Sequence, residues 1–163
     1  PRPGAAKGVA FRWDGPEPSK KTSADTSVRT PSGGICSFRA DPASERAELA
    51  CRDTAKKRLW GIDLSSPSLR SAALAVSDKL LFVATYSPIA SGTTVTAYDL
   101  ETGRRWWQTL LYGVGPVAHS RYRNEVLLHL GAKNLIAYGW ESQGRYVEVV
   151  DPRTGEILGN RAE

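Results

Sequence analysis

The sequence predicts an all-β chain of antiparallel four-stranded propeller-type blades, about three in number. Three observations carry this. No stretch of about 12 residues shows the i, i+3, i+4, i+7 apolar spacing of an amphipathic helix. Short runs of Val, Ile, Leu, Thr and aromatic residues alternate instead with turn residues, the pattern of half-buried strands. A turn motif recurs around Asp53, Asp99 and Asp151, which lie 46 and 52 residues apart. Periods in this range on a β pattern mark propeller blades.

Taken in order, residues 1–34 differ from the rest. They hold Pro1, Pro3, Pro16, Pro18 and Pro31, half of the chain's prolines, with many Ser, Thr, Gly and Lys. Such composition buries too little apolar area to offset ordering, so the segment reads as tail or linker. Within it, Val9-Ala10-Phe11-Arg12-Trp13 alternates in the manner of a strand; a short docking strand and a tail with two apolar aromatics both fit. The repeats occupy residues 35–163. Strands are expected at 80–86, 95–98, 105–110, 126–130, 135–138 and 146–150, and short connections favour a meander. Four strands per copy divide the chain into blades at roughly 28–64, 69–111 and 115–163. Three blades do not ordinarily close a ring. Further blades outside this chain, ring completion by a second copy, and an open three-sheet array are all open.

The motif's chemistry is that of a tight hairpin. Ala97-Tyr98-Asp99-Leu100-Glu101-Thr102-Gly103-Arg104-Arg105-Trp106-Trp107 is the fullest copy. Asp99 can accept backbone N–H groups two or three residues on, Thr102 can cap the same turn, and Gly103 can supply a positive φ. Trp107 would then leave the turn and pack between sheets, burying roughly 150–250 Å². Asp151, Thr154 and Gly155 repeat the turn, with Gly159 where a Trp is expected. Asp53 and Trp60 form a third copy, one residue shorter and without the Thr-Gly pair.

These residues resemble the repeats of the quinoprotein-like (PQQ-type) β-propellers, whose blades end in Ala-x-Asp-x-x-Thr-Gly-x-x-x-Trp. The resemblance covers about residues 35–163. It implies blade-type sheets; activity is not implied, since that family includes cofactor-dependent dehydrogenases, outer-membrane assembly scaffolds and exported proteins without assigned roles.

The two cysteines fall on one predicted hairpin. Pairing Ala40 with Ala47 places Cys36 directly opposite Cys51, in a non-hydrogen-bonded pair whose Cα atoms lie roughly 4.5 Å apart. That suits a disulfide, the favoured reading; two reduced, buried thiols are the alternative. A disulfide implies an oxidising compartment, periplasmic or extracellular. Two thiols and two distant histidines, His119 and His129, show no zinc-ligand spacing.

The formal charge of +5 permits acidic partners without requiring them. No apolar run of 18 residues exists, so no transmembrane helix is expected. Met is absent, so Pro1 is expected to follow processing or a cut. Catalytic, metal and cofactor residues are not expected. His119 beside Ser120 lacks any nucleophile-elbow context. His129 alternates with leucines and reads as a sheet histidine. Trp106 points opposite to Trp107 by strand alternation and is the first candidate contact residue, with Trp140 beside Tyr138 a further strand-face aromatic. Arg121, Tyr122 and Arg123 form a basic aromatic cluster that is a second candidate interface. The expected role is a non-enzymatic binding or assembly scaffold of an exported bacterial protein, with a protein partner and a homo-oligomer as the companion expectation. Two other readings stand beside it. One is a fragment of a quinone-dependent dehydrogenase. The other, not favoured, is nucleic-acid binding through Arg121, Tyr122 and Arg123 and through Arg104, Arg105, Trp106 and Trp107, where turn charges and blade packing explain the second set as well.

Overall fold

The computed structural model describes residues 25–41, 46–64, 71–87, 92–111, 125–141 and 144–162. Twelve strands run in chain order through three sheets. The first sheet holds β1 (Asp25–Arg29), β2 (Ile35–Asp41), β3 (Arg46–Arg52) and β4 (Arg58–Asp63). The second holds β5 (Ser71–Val76), β6 (Leu80–Ser87), β7 (Gly92–Asp99) and β8 (Arg105–Leu110). The third holds β9 (Glu125–Leu130), β10 (Leu135–Glu141), β11 (Gly144–Val150) and β12 (Ile157–Ala162). Every neighbouring pair is antiparallel and consecutive in sequence, as the short connections require. Each sheet is thus a four-stranded meander, the unit of a propeller blade.

β1 lies inside the segment expected to be tail. Thr26 and Val28 are β-branched, and a turn closed by Gly33 at φ 89° folds them onto Phe38 and Cys36. The amide of Gly33 donates to the Thr30 carbonyl at 2.9 Å, and that of Thr30 donates to the Gly34 carbonyl at 2.9 Å. Pairing partners within reach outweigh the poor local composition. The segment at 9–13 lies outside the described residues.

Strand alternation sorts each sheet into two faces. Between the first and second sheets, Cys36, Phe38, Leu49, Cys51 and Trp60 pack against Leu81, Val83 and Tyr98. Between the second and third, Phe82, Ala84, Val95 and Ala97 pack against Leu128, Leu135, Ala137 and Val150. β1 lies beside β5, and β5 beside β9, so the first strand of each blade sits innermost. The fourth strands, β4, β8 and β12, are outermost, each paired along one edge only among the described residues.

The predicted hairpin register is observed: Ala40 faces Ala47 and Cys36 faces Cys51. The two cysteines are disulfide-bonded, with Cα atoms 4.0 Å apart and both side chains buried in the first inter-sheet core.

Candidate interface on the outer strands

The motif residues build the joints between blades. In the second blade, Asp99 Oδ1 accepts the amides of Glu101 at 2.9 Å and Thr102 at 3.0 Å. Thr102 Oγ1 accepts the Arg104 amide at 3.2 Å, and Gly103 turns the chain at φ 73°. In the third blade, Asp151 Oδ1 accepts the Arg153 amide, Thr154 Oγ1 accepts the Glu156 amide, and Gly155 has φ 77°. In the first blade the shorter turn is closed by Lys56 at φ 64°, while Asp53 Oδ1 accepts the Lys57 amide at 2.9 Å.

Each motif Trp docks on the turn of the following blade. Trp60 Nε1 donates to the carbonyl of Leu100 at 2.8 Å, and its ring covers Gly103. Trp107 Nε1 donates to the carbonyl of Pro152 at 3.0 Å, and its ring covers Gly155. A Cβ would stand 2.6 Å from the Trp60 ring at Gly103 and 2.5 Å from the Trp107 ring at Gly155. Glycine is therefore needed twice over at these turns, for its positive φ and for the closeness of the indole. Thr109 Oγ1 adds a hydrogen bond to the Gly155 carbonyl at 2.6 Å.

Just after each turn the outer strand carries an irregularity in register, opposite Cys51/Arg52, Ala97/Tyr98 and Val149/Val150. The extra residue lets the Trp face the next blade while the residue before it turns away. In β8 that residue is Trp106, 53% exposed. Leu110, 60% exposed, shares its face four residues on. Gln108 lies between them and donates its amide to Thr96 Oγ1 at 3.1 Å. Leu59 occupies the corresponding place in β4 and is 51% exposed. Leu110 and Leu59 were not singled out from the sequence, although alternation from Trp106 and the alignment of Trp60 with Trp107 carry the signal for both.

Charge gathers at this rim. Arg104 and Arg105 are exposed beside Trp106, and Lys56 and Lys57 are exposed on the first blade's turn. Docking of Trp60 on Gly103 brings these two turns together. Arg58 differs, being paired with Glu48 at 3.3 Å. Burial pushes the Tyr98 phenol up, against the opposing pull of the Thr96 hydroxyl and the Arg105 charge. At Asp99, desolvation works upward, but the amides of Glu101 and Thr102, the Thr102 hydroxyl and the Trp106 indole outweigh it and hold the carboxyl below its usual range.

Arg121, Tyr122 and Arg123 lie outside the described residues, as do His119 and Ser120. Tyr138 is fully buried rather than presented on a surface, in a cluster with Ile136 and Val147. Apolar neighbours on its own sheet face supply the reason. Among the described residues no group of three or more His, Cys, Asp or Glu side chains could hold a metal ion. No helix among them is long and apolar enough to cross a membrane.

Sheets of this topology, joined by a Trp on a Gly turn, define a protein of PQQ-type β-propeller repeats. The chain belongs to the family described as outer membrane protein assembly factor BamB, whose profile matches residues 17–162. Among solved structures, the chain is similar to the WD40 domain of SCAP from fission yeast, at 14% identity and a TM-score of 0.48, with 90% of this chain and 34% of that one covered. It is also similar to the β-propeller domain of the Trilobed protease from Pyrococcus furiosus, at 14% identity and a TM-score of 0.42, with 83% and 57% covered. The chain thus spans about a third of the first and just over half of the second. A search of curated proteins gives no match.

Proposed function

We propose that this chain is a non-enzymatic binding or assembly scaffold of an exported bacterial protein. One observation carries the reading. The Asp and Thr side chains that distinguish the repeat are consumed in closing their own turns and the Trp side chains in docking on the next blade's Gly turn, while Leu59, Trp106 and Leu110 stand exposed on outermost strands. Large apolar groups on a rigid frame suit protein contact more than chemistry. Membership of an assembly-factor family supports the same reading. The buried disulfide supports an oxidising compartment, periplasmic or extracellular.

Photo-crosslinkers placed singly at Leu59, Asp78, Glu101 and Lys133, with the chain in an extract of its source cells, test this. At least one position is expected to give a discrete protein adduct. A parallel titration with pyrroloquinoline quinone and calcium is expected to stay flat. Stoichiometric quinone binding, or no discrete adduct from any position, overturns the scaffold reading.

A further inference from the structure

Resting on the scaffold reading, we propose that the free edge of β8 receives an extended acidic segment of a partner protein as an added strand. The segment's apolar side chains lie against Trp106 and Leu110, and its carboxylates meet Arg104 and Arg105.

Among the described residues, three outer strands have an unpaired edge, and of these β8 presents this combination. Its inward-turned face is committed, since Trp107 and Thr109 hydrogen-bond to the third blade's turn. Its other face carries Trp106 and Leu110 about 14 Å apart, the span of four strand residues. Sheet edges are ordinarily guarded by Lys, Pro or inward charges. β8 reads Arg-Trp-Trp-Gln-Thr-Leu, with its charge confined to the first residue. In β4 the corresponding Arg58 lies over Gly61 and is neutralised by Glu48, whereas Arg105 of β8 reaches Gln108 at 3.5 Å and makes no ion pair among the described residues. In β12, Ile157 and Leu158 are half-buried.

Charge complementarity selects the occupant. Among the described residues, Arg104, Arg105, Lys56 and Lys57 make no ion pair. Asp99, in the same turn, is occupied by the amides of Glu101 and Thr102. Exposed Glu101 is the opposing charge on that turn. The third blade's turn lacks the excess, with Arg153 set against Asp151 and Glu156. Single-stranded nucleic acid would need a row of stacking aromatics along a basic track. Here one exposed indole is followed by an amide and a leucine, which fits alternating apolar and acidic side chains on an extended backbone.

The test uses the full chain with its disulfide intact and fluorescent ten-residue peptides. One alternates Glu and Val, a second Lys and Val, and a third repeats the first with every second backbone nitrogen methylated. An oligothymidine of similar length is the fourth probe. The Glu-Val peptide is expected to bind at low salt and the other three to bind at least about tenfold more weakly. Trp106→Ser with Leu110→Ser, and Arg104→Glu with Arg105→Glu, are each expected to weaken it about tenfold, and Leu110→Ser alone, at a side chain 60% exposed, to weaken it without changing the melting temperature appreciably. Four results would each overturn the proposal: no Glu-Val binding, equal binding of the Lys-Val or methylated peptide, tighter binding of the oligothymidine, or indifference to both double variants. Protein adducts from other positions combined with any of these results would sink the β8 site and leave the scaffold reading standing.

Discussion

Lys56 shows how a single residue departs from the rule its own repeat sets. It holds the left-handed position that Gly103 and Gly155 hold in the other turns, at φ 64°. A non-glycine residue there costs on the order of 1 kcal/mol, partly offset by the lower chain entropy of lysine in the unfolded state. Lys56→Gly is therefore expected to raise unfolding stability by about 0.5–1 kcal/mol, read from the urea midpoint at unchanged slope. The sequence showed the lost Thr-Gly pair but not which residue would take the strain. That depends on the hydrogen bond from the Lys56 amide to the Asp53 carbonyl, set by a turn one residue shorter. Asp99 gives a second expectation at this scale. Its carboxyl titrates below the usual 3.8 in the fold, so its stabilising effect is present above that pH and is lost as pH falls through the lower, folded value. Asp99→Asn should flatten the acid limb of the stability profile, measured by denaturant unfolding at a series of pH values. An unchanged acid limb would contradict the role assigned to that turn.

The elements are held by two kinds of joint, one within a hairpin and one between blades. The hairpin joint is Cys36–Cys51, fixed by a register that was legible in the sequence because the loop at 41–46 left one sensible pairing. Closing a loop with sequence separation 15 is worth about 3 kcal/mol in the chain-entropy picture. Cys36→Ala with Cys51→Ala is expected to lose about that much, and the double variant's unfolding should be insensitive to reductant. The second joint is the docked Trp. Its departure from the strand was legible from the motif, but its acceptor was not. The Leu100 carbonyl and the Gly103 backbone lie 40 or more residues from Trp60 in sequence. Trp60→Ala should cost about 3–5 kcal/mol, as expected for a buried indole. Trp60→Phe should cost less, about 1–3 kcal/mol, the penalty for stranding a buried carbonyl. Denaturant titration of the two variants separates ring burial from the hydrogen bond.

At the scale of the whole molecule the array is asymmetric. The face of the first sheet turned away from the second carries Arg39, Glu48, Arg52 and Arg58, while the corresponding face of the third sheet carries Ile136, Tyr138 and Val147. The docking series also ends at both sides, since Lys56 has a Cβ where an indole would need glycine, and Gly159 offers no indole. Head-to-tail ring completion by a second copy would find Ile136, Tyr138 and Val147 already buried within the chain, with no indole–glycine joint to form. Native mass measurement under non-reducing conditions is expected to give one chain; a two-chain species that survives dilution would refute this.

Blade number, the cysteine pairing, the packing role of the motif and the strands of the Cys36–Cys51 hairpin, β6 to β8 and β9 to β11 were readable from residue order. Each depends on contacts between neighbours in the chain, where period, turn chemistry and alternation act directly. The partner of each Trp, the strands at Asp25–Arg29, Arg58–Asp63, Ser71–Val76 and Ile157–Ala162, the strain at Lys56 and the exposure of Leu59 and Leu110 beside Trp106 were not read there. Those depend on how one sheet meets the next, and a side chain's exposure is settled by what the neighbouring blade covers.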